Sequence, residues 1–85
     1  MKLKTLDYTV ILTKEPEGGY TVTVPMLPGC VTYGKNVEEA KKMAGEAIGL
    51  YLESLDAHKE EIPIEVEVLY TQLHIDPAKI KLSYA

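Results

Sequence analysis

Residues 19–34 read GYTVTVPMLPGCVTYG, and this stretch decides the fold that the sequence predicts. Over residues 20–24, tyrosine and valine alternate with threonine, which is the period of two expected of a strand. Prolines and a glycine then interrupt the run, because proline removes ladder donors and glycine tolerates positive φ. We therefore expect a strand, a turn over residues 25–29 (the Pro-Gly turn) and a short strand over residues 30–33.

The residues before this stretch also alternate. Apolar side chains occupy every second position from Leu6 to Leu12, which predicts a strand over residues 6–13. A glycine-containing connection of about five residues separates it from the next strand, which is typical of an antiparallel hairpin. The three strands are therefore expected to form a meander.

A long helix is predicted after the third strand. Asn36, followed three residues later by Glu39, is a helix-start signature that combines a side-chain cap with an acidic first turn. The helical period continues from Val37 to about Ala57. The stripe expected to lie on the sheet consists of Val37, Ala40, Ala44, Ala47, Ile48, Tyr51, Leu52 and Leu55.

Alternation returns after the helix. Ile62-Pro63 ends the connection, and apolar residues alternate with glutamate over residues 64–68, which predicts a fourth strand with one wet face. The tail alternates on both sides of Asp76-Pro77, as far as Tyr84, and suggests one or two further short strands around a turn.

These elements predict one two-layer α+β domain, β-β-β-α-β with a short C-terminal strand extension. The domain spans residues 1–85, with a core over about residues 6–70 and the extension over residues 71–85. A chain this short buries only about 60–65% of its unfolded surface. We therefore expect a homo-oligomer, a dimer or a tetramer.

The charge balance disfavours a nucleic-acid-binding surface. The chain has nine lysines, no arginine and thirteen acidic residues, so its net charge is −4. Nucleic-acid recognition favours a basic patch, and the guanidinium fork of arginine in particular. Direct nucleic-acid binding is not expected.

The chain is expected to be cytoplasmic. One cysteine cannot form an intramolecular disulfide, and no apolar run approaches the roughly 20 residues of a membrane span. The N-terminus lacks the apolar core of a signal peptide.

The amide content of the chain indicates a thermophilic source. The chain has a single asparagine and a single glutamine beside many lysines and glutamates.

The central stretch resembles the HicB antitoxin family, whose pattern runs roughly G-Y-x-V-x-V-P-D-L-P-G-C-x-T-x-G, then E-E-A at a helix start and I-P after the helix. The resemblance covers about residues 6–70. It implies a partial RNase H fold and a protein that binds and silences a small RNA-cleaving HicA toxin. The residues that carry the family pattern are Tyr20, Pro25, Leu27, Pro28, Gly29, Cys30 and Gly34.

Two features depart from that family. Met26 stands where members usually have an acidic residue. The residues after Tyr70 are too few for the DNA-binding segment of longer members, so we expect a stand-alone version without operator binding.

Catalysis is not predicted. Two-metal phosphodiester cleavage needs three or four converging carboxylates, whereas the predicted strands carry Asp7, Glu65 and Glu67 alone. We interpret the two glutamates as a solvated face and reject a degenerate nuclease. Cys30 is interpreted as a small core residue because neither His58 nor His74 is spaced to activate it.

No cofactor or metal site is expected either, since these histidines and Cys30 do not form a ligand cluster. The Pro-Gly turn has two interpretations that the sequence leaves open: it redirects the chain between strands, or it forms a partner-facing rim.

The helix supplies the residues predicted to contact a partner. Met43 and Leu50 lie at heptad spacing on the flank of the buried stripe, with Ala57 on the same line. They either contact a second subunit or the toxin, or are scattered surface residues. The predicted function is an antitoxin-like binding module, and the alternative is an orphan oligomeric structural or regulatory domain without a toxin.

Overall fold

The computed structural model describes residues 5–83. Three strands come first in the chain, β1 (Ile11–Lys14), β2 (Tyr20–Thr23) and β3 (Val31–Gly34). One long helix, α1 (Val37–Ala57), follows them, and a short 3-10 helix covers Pro77–Lys79. The strands form one antiparallel sheet in the order β1-β2-β3, so the predicted meander and the α+β class are confirmed.

The register of the sheet decides which side chains face the helix. Val22 lies opposite Leu12 on β1 and opposite Thr32 on β3. Val22 is fully buried and packs with Ala40 and Ala44 of α1. Because side chains alternate along a strand, the neighbouring row points away from the helix.

The predicted start of α1 is confirmed. The Asn36 side-chain oxygen accepts a hydrogen bond of 2.8 Å from the backbone N–H of Glu39, and the Glu39 carboxylate accepts one of 2.8 Å from the N–H of Lys35. This reciprocal pair satisfies two N–H groups at the helix start. At the other end, His58 Nδ1 lies 2.7 Å from the Ser54 carbonyl oxygen.

A second cluster of buried residues lies beside the middle of α1. Val24, Leu27 and Cys30 are buried there, and partly buried Ala47, Ile48, Tyr51 and Leu52 of the helix pack against them. The predicted buried stripe is confirmed along most of its length. Val37 is an exception and is exposed at the first helical position.

The chain before and after these elements differs from the prediction. The first strand begins at Ile11 and not at residue 6. From residue 58 to residue 83, the last described, the chain contains no strand, so the fourth strand over residues 64–68 and the short tail strands are not formed. Tyr84 lies outside the described residues.

Where the fourth strand was predicted, a side chain makes the contact to the segment before β1. The Glu65 carboxylate, not a backbone carbonyl, accepts the N–H of Thr9, at 2.6 Å. Farther on, the Asp76 carboxylate accepts the N–H of Ala78 at 2.9 Å and starts the 3-10 helix, so the predicted turn is present without flanking strands. Residues 60–83 are called the C-terminal arm below.

Candidate functional site

The Pro-Gly turn connects β2 to β3 and fixes one side chain in the core. Leu27 is fully buried, its N–H donates to the Val24 carbonyl at 3.0 Å, and its own carbonyl accepts the Cys30 N–H at 2.9 Å. Gly29 takes a φ of +85°, a conformation that side-chain-bearing residues rarely adopt. This geometry supports the structural interpretation of the turn.

The outer side of the same turn remains accessible. Pro25 and Pro28 are exposed, while the Pro28 carbonyl accepts a hydrogen bond of 2.8 Å from the Tyr51 hydroxyl of α1. The turn is therefore held against the helix by a polar contact as well as by Leu27. Because the turn is fixed by these two contacts, its outer side would lose little conformational entropy when a partner binds there.

The remaining family-pattern residues hold the sheet to the helix. Gly34 lies where an added Cβ would come within 2.2 Å of the backbone nitrogen of Ala40, so the helix approaches β3 too closely for any larger residue. Tyr20 is partly buried and packs against the cluster around Val22. Most of the family pattern thus maintains the fold, which is a role distinct from direct contact with a partner.

Cys30 has the environment of a core residue. Its side chain is buried, and burial raises the pKa of its thiol. A raised pKa lowers the thiolate fraction and opposes nucleophilic reactivity. His58 binds the end of its own helix and His74 is exposed on the arm, so the structure does not bring either histidine to Cys30.

The three carboxylates that were considered for nuclease chemistry have separate environments. Hydrogen bonds from the side chain and then the backbone of Thr9 lower the pKa of Glu65, although partial desolvation opposes the shift. Asp7 and Glu67 are exposed. Within residues 5–83, no group of three or more histidine, cysteine, aspartate or glutamate residues is placed to hold a metal ion.

The outer flank of α1 carries an apolar side chain in an acidic setting. Leu50 is 69% exposed, and Met43, one heptad earlier, is half-buried. Glu46 and Glu53 are both exposed and lie one turn before and after Leu50. The predicted contact residues therefore share one helix flank with two negative charges, but Leu50 offers more accessible apolar surface than Met43.

The open face of the sheet is a second exposed surface, and the sequence analysis predicted the third strand without assigning its side chains to this face. Val31 is 58% and Tyr33 is 47% exposed, and Val31 lies in register beside Thr23, itself opposite Ile11. The period of two gives the signal that was missed. If Cys30 is buried, its neighbours at odd positions on β3 must point outward.

Comparisons with known proteins place these features in a family. A family model described as HicB-like antitoxin of bacterial toxin–antitoxin system matches residues 8–80. The match includes the Pro-Gly turn, α1 and most of the arm. In the described part of the chain, no helix has both the length and the apolar character needed to span a bilayer.

Three relatives illustrate the range of similarity. The UPF0150 protein Ta0767 of Thermoplasma acidophilum is 53% identical over 58 residues, which are 68% of this chain and 84% of that protein. The UPF0150 protein ssr1765 of a Synechocystis strain is 49% identical over 59 residues, 69% of this chain and 75% of that protein. Antitoxin HicB 1 of Photorhabdus laumondii is 37% identical over 62 residues, 73% of this chain but 40% of that longer protein.

Proposed function

The chain belongs to the HicB-like antitoxin family of bacterial toxin–antitoxin systems, and we propose that it binds a small HicA-type RNA-cleaving toxin and neutralises it by covering its catalytic surface. The family match over residues 8–80 is the observation that carries this proposal. The chain acts in the cytoplasm, where such a toxin meets its RNA substrate. It needs no cofactor, because steric exclusion of RNA requires binding alone.

Charge supports this choice of partner. A protein that cleaves RNA must attract a polyanion and so presents a basic surface. The chain carries a net charge of −4 and therefore opposes such a surface with the complementary sign. Complementary charge accelerates association and disfavours wrong partners more than it adds affinity.

The outer flank of α1 is the part of the surface that we assign to the toxin. Leu50 supplies an apolar anchor, Met43 extends it, and exposed Glu46 and Glu53 supply a negative rim. An apolar centre with a charged rim is the usual anatomy of a protein–protein interface. The Pro-Gly turn, with its exposed prolines, is held against the same helix, because the Pro28 carbonyl accepts a hydrogen bond from the Tyr51 hydroxyl.

Binding, not catalysis, is the activity that these residues support. Cys30 is buried, and the Glu65 carboxylate is occupied by Thr9. A degenerate nuclease would instead cleave RNA in a metal-dependent reaction without any partner. We expect no cleavage by the purified chain in the presence of magnesium or manganese.

The test is an RNA-cleavage assay with the HicA-type protein encoded beside the gene of this chain. Increasing amounts of the chain should abolish cleavage once the two proteins reach a fixed stoichiometric ratio. Cleavage that continues undiminished at excess chain would refute the proposal. A variant of the toxin that no longer cleaves RNA should still bind the chain, which separates binding from any effect on the RNA.

The alternative is an oligomeric structural or regulatory domain without a toxin. The exposed arm favours self-association, which this alternative also requires. The neighbouring gene distinguishes the two functions, because a short basic reading frame with a lone histidine favours the antitoxin. Absence of such a gene, together with no toxin recovered from the native host, would favour the alternative.

A further inference from the structure

The single chain exposes far more surface than a compact protein of its size. Its accessible surface is 7405 Å², whereas a compact chain of this mass is expected to expose about 5,000 Å². Its radius of gyration is 17.1 Å and its longest dimension 53 Å, against about 12 Å for the radius of gyration of a compact domain of this length. The excess is too large to arise from loops of ordinary length.

The C-terminal arm contributes to this excess, because nearly all of its residues are exposed, and it is rich in apolar residues. Apolar side chains that are exposed on the arm are Ile64, Val66, Val68, Leu69, Tyr70, Leu73, Ile75, Ile80 and Leu82. Val66 is 71% and Leu69 is 87% exposed. Soluble monomers rarely expose contiguous apolar patches larger than a few hundred Å².

One contact sets the direction in which the first part of the arm faces. Glu65 points toward its own chain, where its carboxylate accepts the N–H of Thr9. In extended backbone, neighbouring side chains point to the opposite side. Ile64 and Val66 lie on either side of Glu65 and are both exposed, so their own domain does not cover them.

An apolar cleft lies on the body of the same chain. It has a volume of about 580 Å³ and lies between residues 6–12 and the part of α1 over residues 41–48. Tyr8, Val10 and Ile48 are among the apolar side chains that line it, and Asp7 and Lys41 are its charged lining residues. Residues of the arm are not part of its lining, although the arm is attached nearby, where the Tyr8 hydroxyl donates to the Pro63 carbonyl.

We propose that this chain forms a homodimer by exchange of arms: the outward apolar face of each arm, centred on Ile64, Val66 and Val68, docks in the cleft of a second copy. Each chain has an exposed row of apolar side chains on its arm and a cleft on its body. In a two-fold symmetric dimer, the arm of each chain fills the cleft of the other, so all four surfaces are buried. This inference does not depend on the proposed function.

The amount of surface selects a second copy as the occupant. An excess of about 2,400 Å² per chain, or about 4,800 Å² for a pair of chains, lies within the range of obligate interfaces, which bury about 2,000–5,000 Å² counted over both partners. An obligate interface must be covered whenever the chain is folded. A second copy is present wherever the chain is made, at the concentration of the chain itself.

The mass of the purified chain, without any toxin, gives the first test. Light scattering coupled to size exclusion should give twice the 9.4 kDa of one chain. Val66→Lys with Val68→Lys should reduce this mass to that of a monomer, with the helical circular dichroism retained. The matched control, Leu69→Lys with Thr71→Lys, places the same charges on the opposite side of the arm and should leave the dimer intact.

Three results would overturn the proposal. These are a monomeric native chain, a Val66/Val68 variant that stays dimeric, and a control that dissociates as fully as the test variant. The first result would leave the arm as a surface for a different partner, such as the toxin.

A cross-link between chains gives the second test and identifies the receiving surface. In a Cys30→Ala background, one preparation carries Val66→Cys and another carries Gly45→Cys, since Gly45 lines the cleft and has open space beside it. After mixing, a short bismaleimide should join the two different chains. Glu53→Cys, on the exposed outer flank of α1, replaces Gly45→Cys as the control and should not react; equal yields from both would refute docking in the cleft.

Discussion

The carboxylate of Glu65 accepts hydrogen bonds from both the backbone N–H and the hydroxyl of Thr9, a residue 56 positions earlier in the chain. This contact attaches the start of the C-terminal arm to the segment that leads into β1. The Thr9 N–H is thereby bonded to a side chain and not to a backbone carbonyl. One side chain of the arm is therefore joined by two hydrogen bonds to a residue just before the sheet.

Protonation of Glu65 should release this attachment. Because hydrogen bonds from Thr9 lower the pKa of Glu65 in the folded chain, the stabilisation is fully present above the ordinary glutamate pKa of about 4.3. It is lost as the pH falls through the lower, folded value. In an NMR titration, the Thr9 amide resonance should shift with a midpoint below the ordinary value, and this transition should vanish in Glu65→Gln. A midpoint at or above the ordinary value would contradict the contact.

Glycine-to-alanine substitutions should have opposite effects at two positions. At Gly34 the new Cβ would lie 2.2 Å from the backbone nitrogen of Ala40, so the helix must shift. We expect Gly34→Ala to reduce the free energy of unfolding by about 3 kcal/mol, the upper end of the usual cost of overpacking. Gly45→Ala meets no atom within 4 Å and should raise it by about 0.5–1 kcal/mol through helix propensity. Urea denaturation measures both, and equal effects would contradict the close approach of α1 to β3.

Two leucine-to-alanine substitutions should differ in their effect on stability, because one leucine is buried and the other is exposed. Leu27 is fully buried, so Leu27→Ala should cost about 2–5 kcal/mol in the free energy of unfolding. Leu50 is 69% exposed, and Leu50→Ala should change that free energy by less than about 0.5 kcal/mol. Chemical denaturation measures the free energy of unfolding of both variants, and the m-values of the two variants should be the same. A large loss at Leu50 would show that its side chain is covered in solution.

At the N-cap of α1, aspartate should substitute for Asn36 without loss of stability, whereas alanine should not. Asn36→Ala removes the acceptor for the Glu39 N–H and should cost about 0.5–2 kcal/mol. Asn36→Asp keeps an acceptor and adds a negative charge at the positive end of the helix dipole, so it should retain the stability of the native chain. Thermal unfolding followed by circular dichroism compares the two variants. Equal losses in the two variants would mean that the side-chain acceptor for the Glu39 N–H is not the source of the stability that Asn36 provides.

The outer flank of α1 should control inhibition of the toxin. Met43→Glu with Leu50→Glu removes the apolar anchor and should raise the concentration of chain needed for half-inhibition at least tenfold, a change of about 1.4 kcal/mol. Val31→Glu with Tyr33→Glu makes the matched change on the open face of the sheet and should leave inhibition intact. If the second pair abolishes inhibition and the first does not, the toxin binds the sheet.

Much of the fold follows from the local sequence. Alternation predicted the hairpin, and Asn36 with Glu39 predicted the start of α1 at Val37, because a capping pair acts within one turn of backbone. The resemblance to the antitoxin family was also recognised from the sequence alone. The structure then showed that Leu27, Cys30 and Gly34 maintain the fold, which the spacing of residues alone did not distinguish from contact with a partner.

The arm is where the sequence was insufficient. Alternation over residues 64–68 specifies a segment that suits a strand, but it does not supply the neighbour with which a strand must pair. Whether a backbone or a side chain meets the N–H of Thr9 depends on how the connection after α1 places Glu65. The local sequence therefore determined which segments could be helix or strand, and the tertiary structure decided which had partners, because strand pairing joins residues that are distant in the chain.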